Sequence, residues 1–210
     1  LFRLDICNTG VGDGLQIKGA NELAELLVDG NQFSSNGLAC LFENCPKLAV
    51  LSILNADGKT TDGVLSAIGN ACPCLSEVSI DDDSGAATDA GIKKIAEGCP
   101  QIEYLEINGL ESITDIGLAT MIEHCRNLKP NRLISGQKGD KFIEAVVKQH
   151  PDLVSIDLSY SDVTDEGLKM LASGCPDIAS INLYSCGDVT DLGLAAMIEH
   201  CKSLKPEKLG

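Results

Sequence analysis

The chain has 210 residues and carries 31 acidic against 16 basic side chains, a formal net charge of −15 at pH 7. That balance argues against a nucleic-acid or anionic-membrane surface; it suits a basic protein partner, or serves to keep an elongated surface soluble. No apolar run approaches the roughly 18 residues that a membrane-spanning helix needs, and with tryptophan absent and aromatics few, Leu, Ile, Val and Ala must build the core.

Leu1-Phe-Arg-Leu4-Asp-Ile6 alternates as a strand does, and Leu23-Ala-Glu-Leu26-Leu-Val28 repeats the pattern. Between them Gly10, Gly12 and Gly14 crowd the segment, which predicts a degenerate first repeat over 1–22 with an irregular outer connection. From there a unit recurs that reads most plainly as Val163 to Leu183, VTDEGLKMLASGCPDIASINL. Seven copies anchor on Cys45, Cys72, Cys99, Cys125, His150, Cys175 and Cys201, in steps of 27, 27, 26, 25, 25 and 26 residues. Self-similarity at a fixed period in the twenties marks a solenoid.

Within each copy, apolar residues stand seven and four places before the anchor, as in Leu65 and Ile68 before Cys72, and with the anchor and an often apolar residue three before it they give a short helix one apolar face. Thr-Asp opens the helix and supplies an N-cap oxygen and a negative charge. A glycine in the first turn (Gly37, Gly91, Gly117, Gly167, Gly193) predicts the close passage of a neighbouring backbone. Pro46, Pro73, Pro100, Pro151 and Pro176 stop the helix. A Leu-x-x-Leu-x-Leu strand follows, as in Leu153 to Leu158. Strand starts at Leu1, Leu23, Leu48, Leu75, Ile102, Leu128, Leu153, Ile178 and Leu204 predict nine parallel strands with helices behind them.

These motifs, Cys-Pro-x-Leu/Ile-x-x-Leu/Ile-x-Leu/Ile and Ile/Val-Thr-Asp-x-Gly-Leu, resemble the cysteine-containing subtype of the leucine-rich repeat over about Leu23 to Leu209. The resemblance implies an α/β leucine-rich-repeat solenoid, a horseshoe with a parallel concave sheet of about nine strands and short convex helices. Of the second cysteine usual after the strand in that subtype, only Cys186 is present. One domain over 1–210 is expected, part of a longer protein, because neither end carries a polar cap.

Two stretches interrupt the pattern. Met121 to Pro130 and Met197 to Pro206 are near-copies lying 76 residues apart, and each puts a proline in its strand. Proline cannot donate to a ladder, so the sheet should be distorted at Leu128–Leu133. The copy over 128–151 is the least regular, with Gly139 for Thr, Phe142 for Gly and His150 for Cys, and a break in curvature is expected there.

Six of the ten cysteines fill one slot in successive copies and read as small buried apolar residues, not as a disulfide frame. Cys72-Pro-Cys74 has no second pair at a zinc-site spacing. Unpaired thiols point to a reducing compartment, cytoplasm or nucleus. Asp81-Asp82-Asp83-Ser84 lacks the spaced ligands of a calcium loop and reads as an acidic turn. His124 and His200 share a repeat slot beside an anchor cysteine and suggest no catalysis; the expectation is no enzyme, no metal and no cofactor.

Function is expected on the concave face. There the first half is acidic, with Glu25, Asp29, Glu77, Asp81 and Glu106 on the face and Asp82, Asp83 and Glu103 on its rim. Tyr104, Tyr184 and Arg132 are residue types that anchor interfaces, and Asp157 and Asn182 continue the row. Together they predict an intracellular protein-interaction module that binds a basic protein. The family resemblance also implies a substrate-recognition part of an F-box-type ubiquitin ligase. A structural subunit of a larger assembly is the other alternative.

Overall fold

A computed structural model describes residues 2–15, 17, 20–83, 85–134 and 138–204. The chain alternates strand and helix: β1 (Phe2–Asp5), β2 (Leu23–Asp29), α1 (Ser35–Phe42), β3 (Val50–Leu54), α2 (Asp62–Ala71), β4 (Glu77–Asp81), α3 (Asp89–Gly98), β5 (Tyr104–Asn108), α4 (Asp115–His124), β6 (Leu133–Ile134), α5 (Asp140–Gln149), β7 (Ser155–Asp157), α6 (Asp165–Gly174), β8 (Ser180–Asn182) and α7 (Asp191–His200). The sequence predicts nine strands, and eight are found among the described residues. The ninth, Leu204 to Leu209, falls outside them after its first residue. Between β1 and β2 no α-helix forms among the described residues, only turns and a 3-10 turn at Ala20–Glu22.

Two compact units result. One comprises Leu1–Ile113 with His124–Ile134, the other Thr114–Glu123 with Ser135–Gly210. In the first, β1 to β6 form one parallel sheet in chain order. Its register stacks like on like: Leu26, Leu51, Val78, Leu105 and Leu133 form one row, and Val28, Ile53, Ile80 and Ile107 another. Both rows are buried against the helices. Burial of such rows is what holds a stack whose single coils have no interior of their own. The other unit contains the parallel pair β7 and β8, with Ile156 beside Ile181 over Phe142, Val146, Leu168, Leu171 and Met197 in its core.

Proline acts at Leu128–Leu133 by folding the chain into a 3-10 turn, Pro130–Arg132, and β6 retains only two residues. In the next copy Gly139 caps α5 without a side-chain bond, and His150 takes the same backbone conformation at the helix end as Cys72, Cys99 and Cys175. Helix and cap therefore survive the loss of their usual residues.

The repeated Thr-Asp-x-Gly motif works between repeats. Thr61, Thr88, Thr164 and Thr190 are the N-caps, each accepting from its own first turn. The aspartate reaches forward. Asp62 accepts from Thr88 N at 2.7 Å, Thr88 Oγ1 at 2.9 Å and Gly91 N at 3.1 Å. Asp140 does the same for Thr164 N and Oγ1, and Asp165 for Thr190 and Gly193 N. Asp115 accepts from Lys141 N, where Gly139 has no hydroxyl to offer. In the degenerate first repeat Asp13 fills the place and accepts from Ser34 N at 2.7 Å. The first-turn glycine follows from this clasp. A Cβ on Gly91 would lie 2.5 Å from Asp62 Oδ1, and those on Gly167 and Gly193 would meet Asp140 and Asp165 in the same way. The neighbouring backbone that the sequence predicts does pass close, with Asp62 Cα 3.1 Å from a Cβ on Gly91 and Asp165 Cα 3.2 Å from one on Gly193, but the carboxylate of the preceding repeat is nearer still.

The anchor cysteines form a second line between repeats. Cys99 Sγ donates to Cys72 O at 3.2 Å, Cys175 Sγ to His150 O at 3.4 Å, and Cys201 Sγ to Cys175 O at 3.7 Å. Cys186 Sγ donates to Leu158 O at 2.9 Å on the far side of the strand. All ten cysteines are free. Burial pushes the thiols of Cys72, Cys99 and Cys125 up to about 12 and that of Cys175 to about 11, so they stay protonated donors.

Candidate functional site

Each sheet has a face turned away from its helices, and the parity of the strand decides which side chains reach it. In the first unit, register sets Arg3 beside Glu25, Glu77 beside Tyr104, and Ser79 beside Glu106. Because Leu105 pairs with Leu133, Arg132 follows the row beyond Tyr104. The 3-10 turn leaves Pro130 buried and Arg132 exposed. Four of the expected residues thus come together. The Arg132 guanidinium lies 4.9 Å from the Tyr104 ring centre and 3.9 Å from Glu77. Tyr104 Oη donates to Glu106 at 3.0 Å, Ser79 Oγ donates to the same oxygen at 3.0 Å, and Asn108 Nδ2 donates to the other at 3.4 Å.

This cluster is organised rather than tightly bonded. The Glu77–Arg132 pair is half exposed and long, worth about 0–1 kcal/mol, and the cation over the half-buried Tyr104 ring adds about 0.5–1 kcal/mol. Burial, the bond to Glu106 and that carboxylate's charge raise the Tyr104 phenol above its ordinary 10.0, so it remains a donor. Glu25 is held at 3.4 Å by Arg3. Asp81 is half-buried and shares the strand-exit edge with Asn55, Asp57 and Asp83, which line a cavity of about 220 Å³ with it.

Two expected acidic residues, Asp29 on the face and Asp82 on its rim, are buried instead. Asp29 is only 7% exposed, and its Oδ1 has no hydrogen-bond partner among the described residues. It is the last residue of β2, where the chain curls into a 3-10 turn at Gly30–Gln32, so its carboxylate is covered. Asp82, expected on the rim, is 1% exposed and accepts from Gly58 N at 2.6 Å and Thr60 N at 2.8 Å, tying one loop to the next. Asp83 and Glu103 are exposed as expected, and Ser84 lies outside the described residues. No group of three or more His, Cys, Asp or Glu among the described residues is placed to hold a metal ion.

In the second unit Asp157 pairs in register with Asn182. Asp157 accepts from Ser159 N at 2.9 Å and Ser159 Oγ at 2.7 Å. Burial pushes its carboxyl up, but the bonds from Ser159 and Asn182 and the charge of Lys138 outweigh that and hold it below 3.8. Lys138 is 6% exposed and donates to Asp157 O at 3.1 Å; its burial lowers the ammonium below 10.5 while Asp157 opposes the shift. Asn182 Oδ1 accepts from Tyr184 N at 3.0 Å. Tyr184 packs edge-to-face on Tyr160, with ring centres 5.4 Å apart. Tyr160 and Lys138 lie outside the Leu-x-x-Leu-x-Leu alternation, and period-2 reasoning does not place them.

The family model for the Leucine Rich repeat matches residues 149–172, which run from the end of α5 through β7 into α6. Over 103 residues the sequence is 29% identical to an F-box/LRR-repeat protein of Arabidopsis thaliana, a match covering 44% of this chain and 22% of that protein. The chain thus spans about a fifth of the length of the curated relative it matches. Among solved structures, the complex of Rad7 and Elc1 in yeast has a TM-score of 0.39 at 16% identity, covering 93% of this chain and 78% of that one. An internalin from Listeria monocytogenes has a TM-score of 0.44 at 17% identity, covering 88% and 67%.

Proposed function

From the premise that this is a leucine-rich repeat protein, built as parallel strands backed by short helices, we propose that it is an intracellular protein-interaction module without enzymatic activity. Its partner is a basic protein segment, held on the acidic open face of the first unit. The observation that carries this reading is the row in which Glu77, Tyr104, Glu106 and Arg132 gather, continued by Glu25 and Asp81. A half-buried tyrosine among carboxylates gives a partner both an aromatic surface and charge complementarity. Arg132 itself sets one end of the row, so recognition is of a patterned charge rather than of bulk positive potential.

Free thiols throughout support a reducing compartment. No helix among the described residues is long and apolar enough to cross a membrane. A second reading, the substrate-recognition part of an F-box-type ubiquitin ligase, is favoured by the name of the Arabidopsis relative. It uses the same face and differs in what lies elsewhere in the assembly.

Charge reversal tests the face. Glu25→Lys with Glu77→Lys should weaken capture of the partner by about tenfold or more, with the melting temperature unchanged. Glu106 is neutralised as Glu106→Gln instead, since it also holds Tyr104 and Ser79. Affinity capture from cell extract with the wild-type and variant proteins, quantified by mass spectrometry, reads the difference. Equal recovery of every captured protein would leave the acidic row as solvated surface.

A further inference from the structure

The Tyr160–Tyr184 pair sits at the exit of β7 and β8 in the second unit. Tyr160 N donates to Tyr184 O at 2.8 Å, so the two segments that carry the rings are bonded together. The rings themselves are open, with Tyr160 65% and Tyr184 59% exposed. Two large aromatic surfaces displayed side by side need a reason, since each leaves apolar area in water.

Tyr160 carries a second oddity. Its φ is +57°, in the left-handed region that a bulky side chain avoids. The same place after other strands is taken by Asn8, Asn55, Gly109 and Ser185, at φ of 55°, 48°, 77° and 59°, all small residues. Asn and Gly are the residues that tolerate this conformation. At three of these four positions the fold uses one of those residues, and at the fourth a small serine. At 160 it holds a tyrosine in an unfavourable conformation and turns the ring outward. Unfavourable backbone of this kind collects at binding sites, where the displayed group is what is required.

The first unit shows what such a surface takes. There the chain lays its own Arg132 over Tyr104 beside Glu77. At Tyr160 and Tyr184, no cation among the described residues lies over either ring. The segments carrying the rings, 154–162 and 179–188, hold Asp157, Asp162 and Asp188 and no Lys or Arg. Lys138 lies beneath, committed to Asp157 O and buried. Exposed π-faces bordered by carboxylates attract a cation, and a guanidinium suits them best because it stacks flat and is weakly hydrated.

We propose that the Tyr160–Tyr184 pair is a receptor for an arginine side chain in an extended segment of a protein partner, with Asp157 supplying the complementary charge. This names the basic group in the reading given above and rests on that reading. The guanidinium stacks on one ring face, and the other ring, inclined at 73° to it, closes one side.

The probe is a nonapeptide carrying three arginines spaced by Gly-Ser, with a twin in which citrulline replaces each arginine, titrated into the full chain and followed by NMR. The arginine peptide should shift the Tyr160 and Tyr184 ring resonances saturably, and the citrulline twin should not. Tyr184→Leu should weaken the peptide about tenfold. Tyr160→Asn should weaken it too, while leaving the melting temperature equal or higher, because asparagine accepts the left-handed backbone. A merely structural Tyr160 would lower the melting temperature and leave binding intact, and that result overturns the assignment. Equal shifts with citrulline overturn it as well. Shifts confined to the Glu77–Tyr104–Glu106 row would overturn this site and leave the acidic-face reading standing. Shifts at the tyrosine pair that survive Glu25→Lys and Glu77→Lys would support this site apart from the acidic row. Silence at both sites would remove both.

Discussion

At the scale of single residues, the repeated glycine separates two effects that usually oppose each other. Alanine is the better helix former by about 1 kcal/mol, so Gly→Ala in a first turn stabilises wherever space allows. At Gly63 in α2 the nearest atom to a new Cβ is Thr61 Oγ1 at 3.5 Å, an ordinary contact. At Gly91 in α3 the Asp62 carboxylate would stand at 2.5 Å. Gly63→Ala should therefore raise stability by about 0.5–1 kcal/mol, and Gly91→Ala should lower it by about 1–3 kcal/mol, both read from urea midpoints at constant slope. The anchor thiols make a chemical prediction. With burial holding Cys72, Cys99 and Cys125 up at about 12, they should resist a thiol reagent at neutral pH until the chain unfolds. Exposed Cys40 and Cys74 should react at once, as timed mass spectrometry of labelled protein would record. The buried anchor role was legible from spacing alone, because six cysteines share one phase of the repeat. The bond that Cys99, Cys125, Cys175 and Cys201 send to the repeat before was not, since spacing along a chain gives no direction across coils.

At the scale of elements, six helices run from the aspartate to the residue before the anchor, as the apolar spacing indicates. What the spacing hid was the destination of that aspartate. An Asp at a helix start reads as a partner for its own orphan N–H groups, and the local rule has no term for the neighbouring coil. Asp165 tests the difference. The Thr190 hydroxyl and N–H hold its carboxyl below the ordinary 3.8. A folded value depressed in this way contributes stability that is present above 3.8 and is lost as pH falls through the folded value. The urea midpoint of the wild type should hold steady above that range and drop below it. Asp165→Asn should start lower at neutral pH and fall less steeply. Parallel curves for the two proteins would mean the clasp contributes nothing to the pH dependence.

At the scale of the whole molecule, the charge of −15 is the dominant field. Association with a basic partner should slow on the order of tenfold between low and high salt, with the dissociation rate changing much less. Stopped-flow measurement at several ionic strengths separates the two rates. The Glu77–Tyr104–Glu106 row was legible because alternation and parallel register both act over long distances without slipping. Asp29 and Asp82 were not, because they stand where strands end and the chain curls inward. Tyr160 escaped for a related reason: past the last apolar strand position, the backbone enters a left-handed turn and the alternation no longer says where a side chain points.

The forward reach of Asp13, Asp62, Asp115, Asp140 and Asp165 gives the repeats a polarity. Asp62 grips the helix entry that follows it, but nothing in that grip depends on the coil before. Cutting one such link by Asp62→Ala frees what lies downstream and leaves the upstream neighbour still clasped through Asp13. Hydrogen exchange should then quicken in α3 before it quickens in α1, so that damage travels along the chain in one sense, like a zip opened from a single end.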